Sequence, residues 1–372
     1  MNNHMTSHRF TVGCLCTCAV VVGVVMAPIG SAQLDQGAIL DRLGEIRRET
    51  GAPGVMAAVA VDGTVLFAGG VGWAELENQV PAAGVTVHNI GPVSKAMTTV
   101  AVMQLAEQRR LRLDDRLEQY IPSLPAGVED VTLRHVLTHT SGLRLSDGRE
   151  KIGSFDELVE AIPRSPNAPL LFSPGSFWAY SSHGFNLLQK VIESVSGVGF
   201  EDYLQLNVWG PAGMGRTSLD IASRIVPRRG SGYKPGKGGT HINSPSFDLT
   251  FRYAADGMLS TVQDLVRLGV AINANVLMSP GSVATMHRPQ LEEIQLFTGD
   301  GSTPEGPTGQ AIGWFINKDG IGRSYFYQTG MINGVSTVLI NYPAEHLVIA
   351  LIANLLPFDA HKAGQSIAGM YP

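Results

Sequence analysis

Asn89-Ile90-Gly91-Pro92-Val93-Ser94-Lys95 leads into a run of good helix formers, from Ala96 through Gln104 to Arg110. Proline is favoured in the first turn of a helix, where its missing N–H would be free in any residue. The stretch therefore predicts a helix starting at Pro92, with Val100, Met103 and Leu105 as a stripe to bury. Lys95 follows Pro92 by three residues, so one turn stacks the two side chains on one face. Ser94 adjoins Lys95, and helical neighbours diverge by roughly 100°, so Ser94 should face the helix surroundings.

Around this helix the pattern changes twice. Residues 37–50 alternate apolar and charged positions at helical spacing and stop at Gly51-Ala52-Pro53. Val55 to Val61 and Thr64 to Val71 flank Asp62-Gly63 and read as a β-hairpin. Near the other end, Ile312 to Asn317, Tyr325 to Gln328, Val335 to Tyr342 and Leu347 to Ala353 read as strands, with a closing helix after Ala360. Residues 110–250 are mostly helical with many Gly/Pro breaks. The expectation is a mixed α/β (α+β) fold: an antiparallel sheet built from both chain ends, flanked by helices, with an inserted helical subdomain at 110–250. Gly299 to Pro304 reads as a surface loop.

Several further motifs follow the helix start in order. They are Leu113-Asp114-Asp115 and Tyr120-Ile121-Pro122, then Leu133-Arg134-His135-Val136-Leu137-Thr138-His139-Thr140-Ser141-Gly142-Leu143. Phe172-Ser173-Pro174-Gly175 runs into Tyr180-Ser181-Ser182, followed by Gly257-Met258-Leu259-Ser260-Thr261, Gly313-Trp314 and Gln328-Thr329-Gly330. In this order the chain resembles the serine β-lactamase and penicillin-binding-protein superfamily, in its class C β-lactamase, DD-peptidase and esterase-like branch. That resemblance implies an antiparallel sheet flanked by helices and an all-helical lobe.

It also implies a site, and here the chain departs from the pattern. The family opens its active-site helix with Ser-x-x-Lys, the lysine accepting the serine proton. Here Pro92 stands where the nucleophile would be, so that position has no hydroxyl and no backbone N–H for an oxyanion hole. By resemblance Lys95 would be the general base and Tyr180 its partner. Ser182 occupies the place of a substrate-binding Asn, with a shorter reach. Gln328 replaces a Lys or His, which removes a charge-assisted contact to an anionic substrate. Thr329 and Gly330 keep the third motif, and the Met331 N–H is an oxyanion donor by position. The expected activity is a binding cleft deficient in acyl transfer; the alternative is a working esterase, peptidase or DD-carboxypeptidase with a displaced nucleophile, Ser94 or Ser182.

Composition bounds the rest. A chain of 372 residues with 44% hydrophobic content can bury one large core or two packed ones. A net charge of −5 without a Lys/Arg cluster gives no case for nucleic acid. Arg9, the apolar run Phe10 to Met26 and Gly30-Ser31-Ala32 read as a signal peptide over 1–32, leaving 33–372 as an exported domain; the alternative is an uncleaved membrane anchor, since the apolar run approaches spanning length. Cys14, Cys16 and Cys18 all fall in that leader. No cofactor or metal is expected: His135 and His139 have the i, i+4 spacing of a zinc pair without an evident third ligand. Ser231-Gly232-Tyr233-Lys234 fits Ser-x-x-Lys literally but lies among glycines, where no helix would align it. The expected partner is a small molecule or peptide in the cleft, with no membrane contact once the leader is cut.

Overall fold

The two ends of the chain meet in one antiparallel sheet. The structure, a computed structural model, describes residues 35–143, 155–160, 170–245, 249–291 and 307–371. The leader and the 299–304 stretch therefore lie outside the described residues. After helix α1 (Gln36–Thr50), strands β1 (Gly54–Val61) and β2 (Thr64–Glu75) form the expected hairpin. Asp62 and Gly63 both take positive φ, 48° and 79°, as a two-residue turn matching strand twist requires. Short strands β3 (Val80–Pro81) and β4 (His88–Asn89) precede helix α2 (Ser94–Glu107).

The middle is less regular than its composition suggests. Helices α3 (Leu133–Leu137), α4 (Phe155–Glu160), α5 (Ser182–Ser196) and α6 (Phe200–Leu204) occupy its first part. Three short strands follow: β5 (Ser218–Leu219), β6 (Tyr233–Pro235) and β7 (His241–Asn243). Among the described residues of 110–250, the α-helices thus lie between Leu133 and Leu204, while 110–132 holds turns and a 3-10 turn at Leu117–Gln119. Strand β8 (Met258–Ser260), helices α7 (Val262–Asn273) and α8 (Pro280–His287), strands β9 (Gly309–Ala311), β10 (Trp314–Lys318), β11 (Ser324–Ile332), β12 (Val335–Tyr342) and β13 (Leu347–Ala353), and helix α9 (Ala360–Ala368) complete the order.

Among the described residues the main sheet runs β3-β2-β1-β13-β12-β11-β10-β9, and a second sheet runs β4-β8-β5. β1, β12 and β13 are buried along their whole length. Alternate side chains explain why: Val55, Ala57 and Val59 pack in one core, while Met56, Ala58 and Ala60 pack in the other. The first core gathers α1 and α9, the second α2, α5 and α7. A strand covered on both faces has no polar alternation to show, and its sequence reads as one apolar run.

One expectation needs correction. α2 does not present a stripe: every residue from Ser94 to Leu105 is buried, because helix and sheet elements enclose it on all sides. β11 is flanked by β12 and β10, although its pairing with β10 stops at Phe315–Tyr327, so the stretch beyond Tyr327 is paired only to β12.

Burial of two histidines gives this fold a pH dependence. Burial, reinforced by Arg229, lowers His88 to about 4, and burial with the nearby Lys95 charge holds His139 well below its usual value. The unfolded chain binds protons as pH falls below about 6.5, whereas these folded sites do not. Stability should therefore fall with decreasing pH, by on the order of 2 kcal/mol at pH 5 from His88 alone. Denaturation midpoints from pH 7 to pH 5 test this, with His88→Phe flattening the slope. Equal midpoints across that range would contradict it.

Candidate functional site

The turn before α2 is pinned by its neighbours. Gly91–Val93 form a 3-10 turn, and the Gly91 N–H donates to Asn89 Oδ1 at 2.7 Å. Pro92 is half-buried between the buried Gly91 and Val93. A methyl on Gly330 would lie 2.1 Å from the Ile90 carbonyl oxygen and 3.3 Å from the Pro92 nitrogen. β11 therefore crosses the turn in backbone contact, which a side chain at 330 would prevent. A methyl on Gly91 would likewise stand 3.3 Å from the Met331 nitrogen, so strand and turn are close from both sides.

One turn into α2, Lys95 is fully buried. Its Nζ donates to Ser182 Oγ at 3.0 Å, to Asp256 Oδ1 at 3.2 Å and to the Ala255 carbonyl at 3.3 Å. The Tyr180 ring centre lies 5.0 Å away and the Phe185 ring 5.5 Å. Burial alone would drive this amine toward neutrality, but the Asp256 carboxylate and the Tyr180 hydroxyl outweigh it and hold the pKa above the usual lysine value. Lys95 is thus an ammonium at neutral pH, unable to accept a proton. Ser182 also donates to Asp256 Oδ1 at 3.3 Å, which closes a Lys–Ser–Asp triangle.

Each corner is held by local chemistry. Ser181 caps α5, its Oγ accepting the Gly184 N–H, which sets Ser182 as the first helical residue. Asn186, one turn on, accepts the Ala255 N–H at 3.1 Å, and Thr98 donates to the Ala254 carbonyl at 2.7 Å. Two helices thereby grip the 254–256 segment between them. Tyr180 leans on His139, with ring centres 4.6 Å apart, and His139 Nδ1 accepts the Ser181 N–H at 3.2 Å. His135 Nδ1 accepts the Thr132 N–H in a capping box at α3. Both histidines of the zinc-like spacing have backbone partners and arrange the chain around Tyr180.

The remaining residues divide by face. Gln328 is fully buried, its Nε2 donating to the Gly313 carbonyl at 2.6 Å, while its Oε1 has no partner among the described residues. Thr329, Gly330 and Met331 instead line a recess of about 700 Å³, with Phe315, Tyr327, Phe358 and His361 as aromatic walls. Ser94 points elsewhere: its hydroxyl donates to the Gly91 carbonyl at 2.7 Å and accepts the Met258 N–H at 3.2 Å. Tyr233 and Lys234 lie on the β6–β7 ribbon, which confirms that the second Ser-x-x-Lys is not helical.

Sequence reasoning missed Asp256. The available signal was a lone carboxylate in the apolar run Ala254-Ala255-Asp256-Gly257-Met258-Leu259, next to a recognised motif. Only the fold brings it to Lys95, 161 residues away in the chain.

Comparisons with known proteins agree with this architecture. The serine beta-lactamase-like protein LACTB, mitochondrial, of Homo sapiens is 27% identical, over 85% of this chain and 73% of its own length. Penicillin-binding protein 4* of Bacillus subtilis is 26% identical, over 85% and 70%. Among solved structures, the octameric penicillin-binding protein homologue from Pyrococcus abyssi superposes with a TM-score of 0.77 at 23% identity, covering 91% of this chain and 77% of that one. A class C beta-lactamase gives 0.75 at 19%, covering 91% and 98%; likeness at such identities is one of fold. The Beta-lactamase family itself matches residues 38–369, and the chain belongs to that family.

Proposed function

We propose that this protein is an exported member of its family whose cleft binds a small molecule or short peptide without acyl transfer. Pro92 carries the reading. It removes both the nucleophilic hydroxyl and one oxyanion donor, and loss of one such donor alone typically costs ~10²–10³ in rate. The Lys95–Asp256 pair adds to it, since a charged amine held by a carboxylate is no general base.

The recess beside β11 supports binding of a neutral ligand. Its polar lining is Asn317, Thr329, Thr337 and Asp359, and burial keeps His361 below its usual value despite the opposing pull of Asp359. Neither this lining nor Gln328 offers a cation to a carboxylate. A neutral amide or ester with an aromatic or apolar group fits these walls better than an anionic lactam.

A second reading rests on the 3.0 Å contact between Lys95 and Ser182. Ser182 would then be a displaced nucleophile giving up its proton to Asp256, and the protein an active esterase or peptidase. Burst kinetics on a nitrophenyl ester separate the two. The natural chain should give no stoichiometric burst, and Pro92→Ser should give slow acylation. Pro92→Ser with Asp256→Asn should acylate faster still, by about tenfold or more, because the lysine is freed to accept a proton. A stoichiometric burst from the natural chain, with the adduct on Ser182, would establish the second reading instead.

Export rests on the leader. The human relative is mitochondrial by name. The first 32 residues here carry a single Arg and a long apolar run, which suits a secretory signal better than an Arg-rich amphipathic transit peptide. Among the described residues no helix is long and apolar enough to cross a membrane. N-terminal sequencing of protein recovered outside the cytoplasm should begin at Gln33, with the net charge changed from −5 to −6 by loss of Arg9. A chain starting at Met1 in the membrane fraction would mean an anchor.

A further inference from the structure

Beside β4 lies a polar recess of about 470 Å³ that none of Pro92, Lys95, Tyr180, Ser182 or Gln328 lines. Small-molecule sites span roughly 300–1,000 Å³, so its size is adequate. Three carboxylates line it, Glu75, Glu77 and Asp220, against one guanidinium, Arg229. Arg229 is already committed, pairing with Asp220 at 2.7 Å, and Asn89 donates to the same carboxylate at 2.8 Å. Glu77 accepts from Asn243 at 2.6 Å and from Tyr233 at 2.9 Å.

Acidic lining alone would be a solvated surface. The independent observation is His88, which lines the recess, is only 1% exposed, and has neither ring nitrogen bonded among the described residues. A buried imidazole without partners costs on the order of 1–3 kcal/mol per unmet group, so its retention calls for a use. Gly230 lies against its ring: a methyl there would fall 2.4 Å from His88 Cε1 and 2.6 Å from Nε2, so any side chain at 230 would displace the imidazole. Ser244, also on the lining, has a buried hydroxyl without a partner among the described residues.

We infer that this recess is a second binding site, for a small hydroxylated amine such as an amino sugar. The ammonium answers the carboxylate excess at Glu75, and hydroxyls answer the His88 imidazole and the Ser244 hydroxyl. An anion would meet net negative charge, and a lipophilic ligand would strand these polar groups. The site abuts the cleft through short links. Asn89 Oδ1 holds the Gly91 N–H, and β8, paired to β4, presents the Met258 N–H to Ser94. The inference does not depend on whether the cleft transfers acyl groups.

The test is titration of the full chain with D-glucosamine, D-glucose, D-glucuronate and methylamine, observed at the imidazole resonances in NMR. The His88 signal is assigned by its loss in His88→Phe. D-glucosamine should shift His88 saturably, D-glucose should bind about tenfold more weakly or worse, and D-glucuronate should not bind. Glu75→Gln, at a partly exposed position where folding is not at stake, should weaken D-glucosamine about fivefold and leave D-glucose unchanged. An unmoved His88, equal binding of D-glucuronate, or indifference to Glu75→Gln would each overturn the assignment. Methylamine binding as tightly as D-glucosamine would overturn it too, because the hydroxyls would then contribute nothing.

Discussion

A buried ammonium must be balanced, and the balancing of Lys95 organises this molecule. Its three N–H groups reach α5 through Ser182 and the segment before β8 through Ala255 and Asp256. Breaking such a pair by removing one partner typically costs about 3–5 kcal/mol, since an uncompensated charge is left in the interior. One side chain therefore fixes the relation of the sheet-side helix to the helical region. The same contact that makes the arrangement rigid also keeps the lysine protonated, so structural and catalytic demands on this residue oppose each other.

The two faces of β11 accordingly meet different surroundings. On the α2 side, polar groups are used up internally: Lys95 by its triangle, Ser94 by two backbone groups, and the Gln328 nitrogen by the Gly313 carbonyl. On the other face of β11, Thr329 and Met331 look into an aromatic recess. Alternation along one strand separates these roles, because successive side chains point to opposite faces. The polar side resembles a reaction centre locked by its own contacts, and the aromatic side offers surface for a ligand.

Much of this was legible in the sequence. β12 and β13 follow the apolar runs Val335–Tyr342 and Leu347–Ala353 to the residue, and the Asp62-Gly63 turn announces its hairpin. Lys95 and Tyr180 come together as the motif order implied. What stayed hidden was non-local. The short strands β5 to β7 have little propensity of their own and exist through pairing. The all-round burial of α2 depends on what encloses it, and a helix enclosed on every side carries no periodic signature. Asp256 looks like an ordinary turn carboxylate until the fold sets it beside an amine from another part of the chain.

The β1–β13 seam bears on how the molecule is made. Val55 pairs with Ala353 and Val61 with Leu347, so the first long strands form half of a ladder whose other half is synthesised much later. Until then β1 has only β2 as a strand neighbour, and its other edge is open. Contacts of such sequence separation slow folding, because the loop must close before they stabilise anything, and an uncovered strand in the meantime is prone to wrong pairing. The late strands act as a seal: a ribosome stalled before Leu347, or a chain truncated there, leaves an open apolar edge instead of a smaller stable domain.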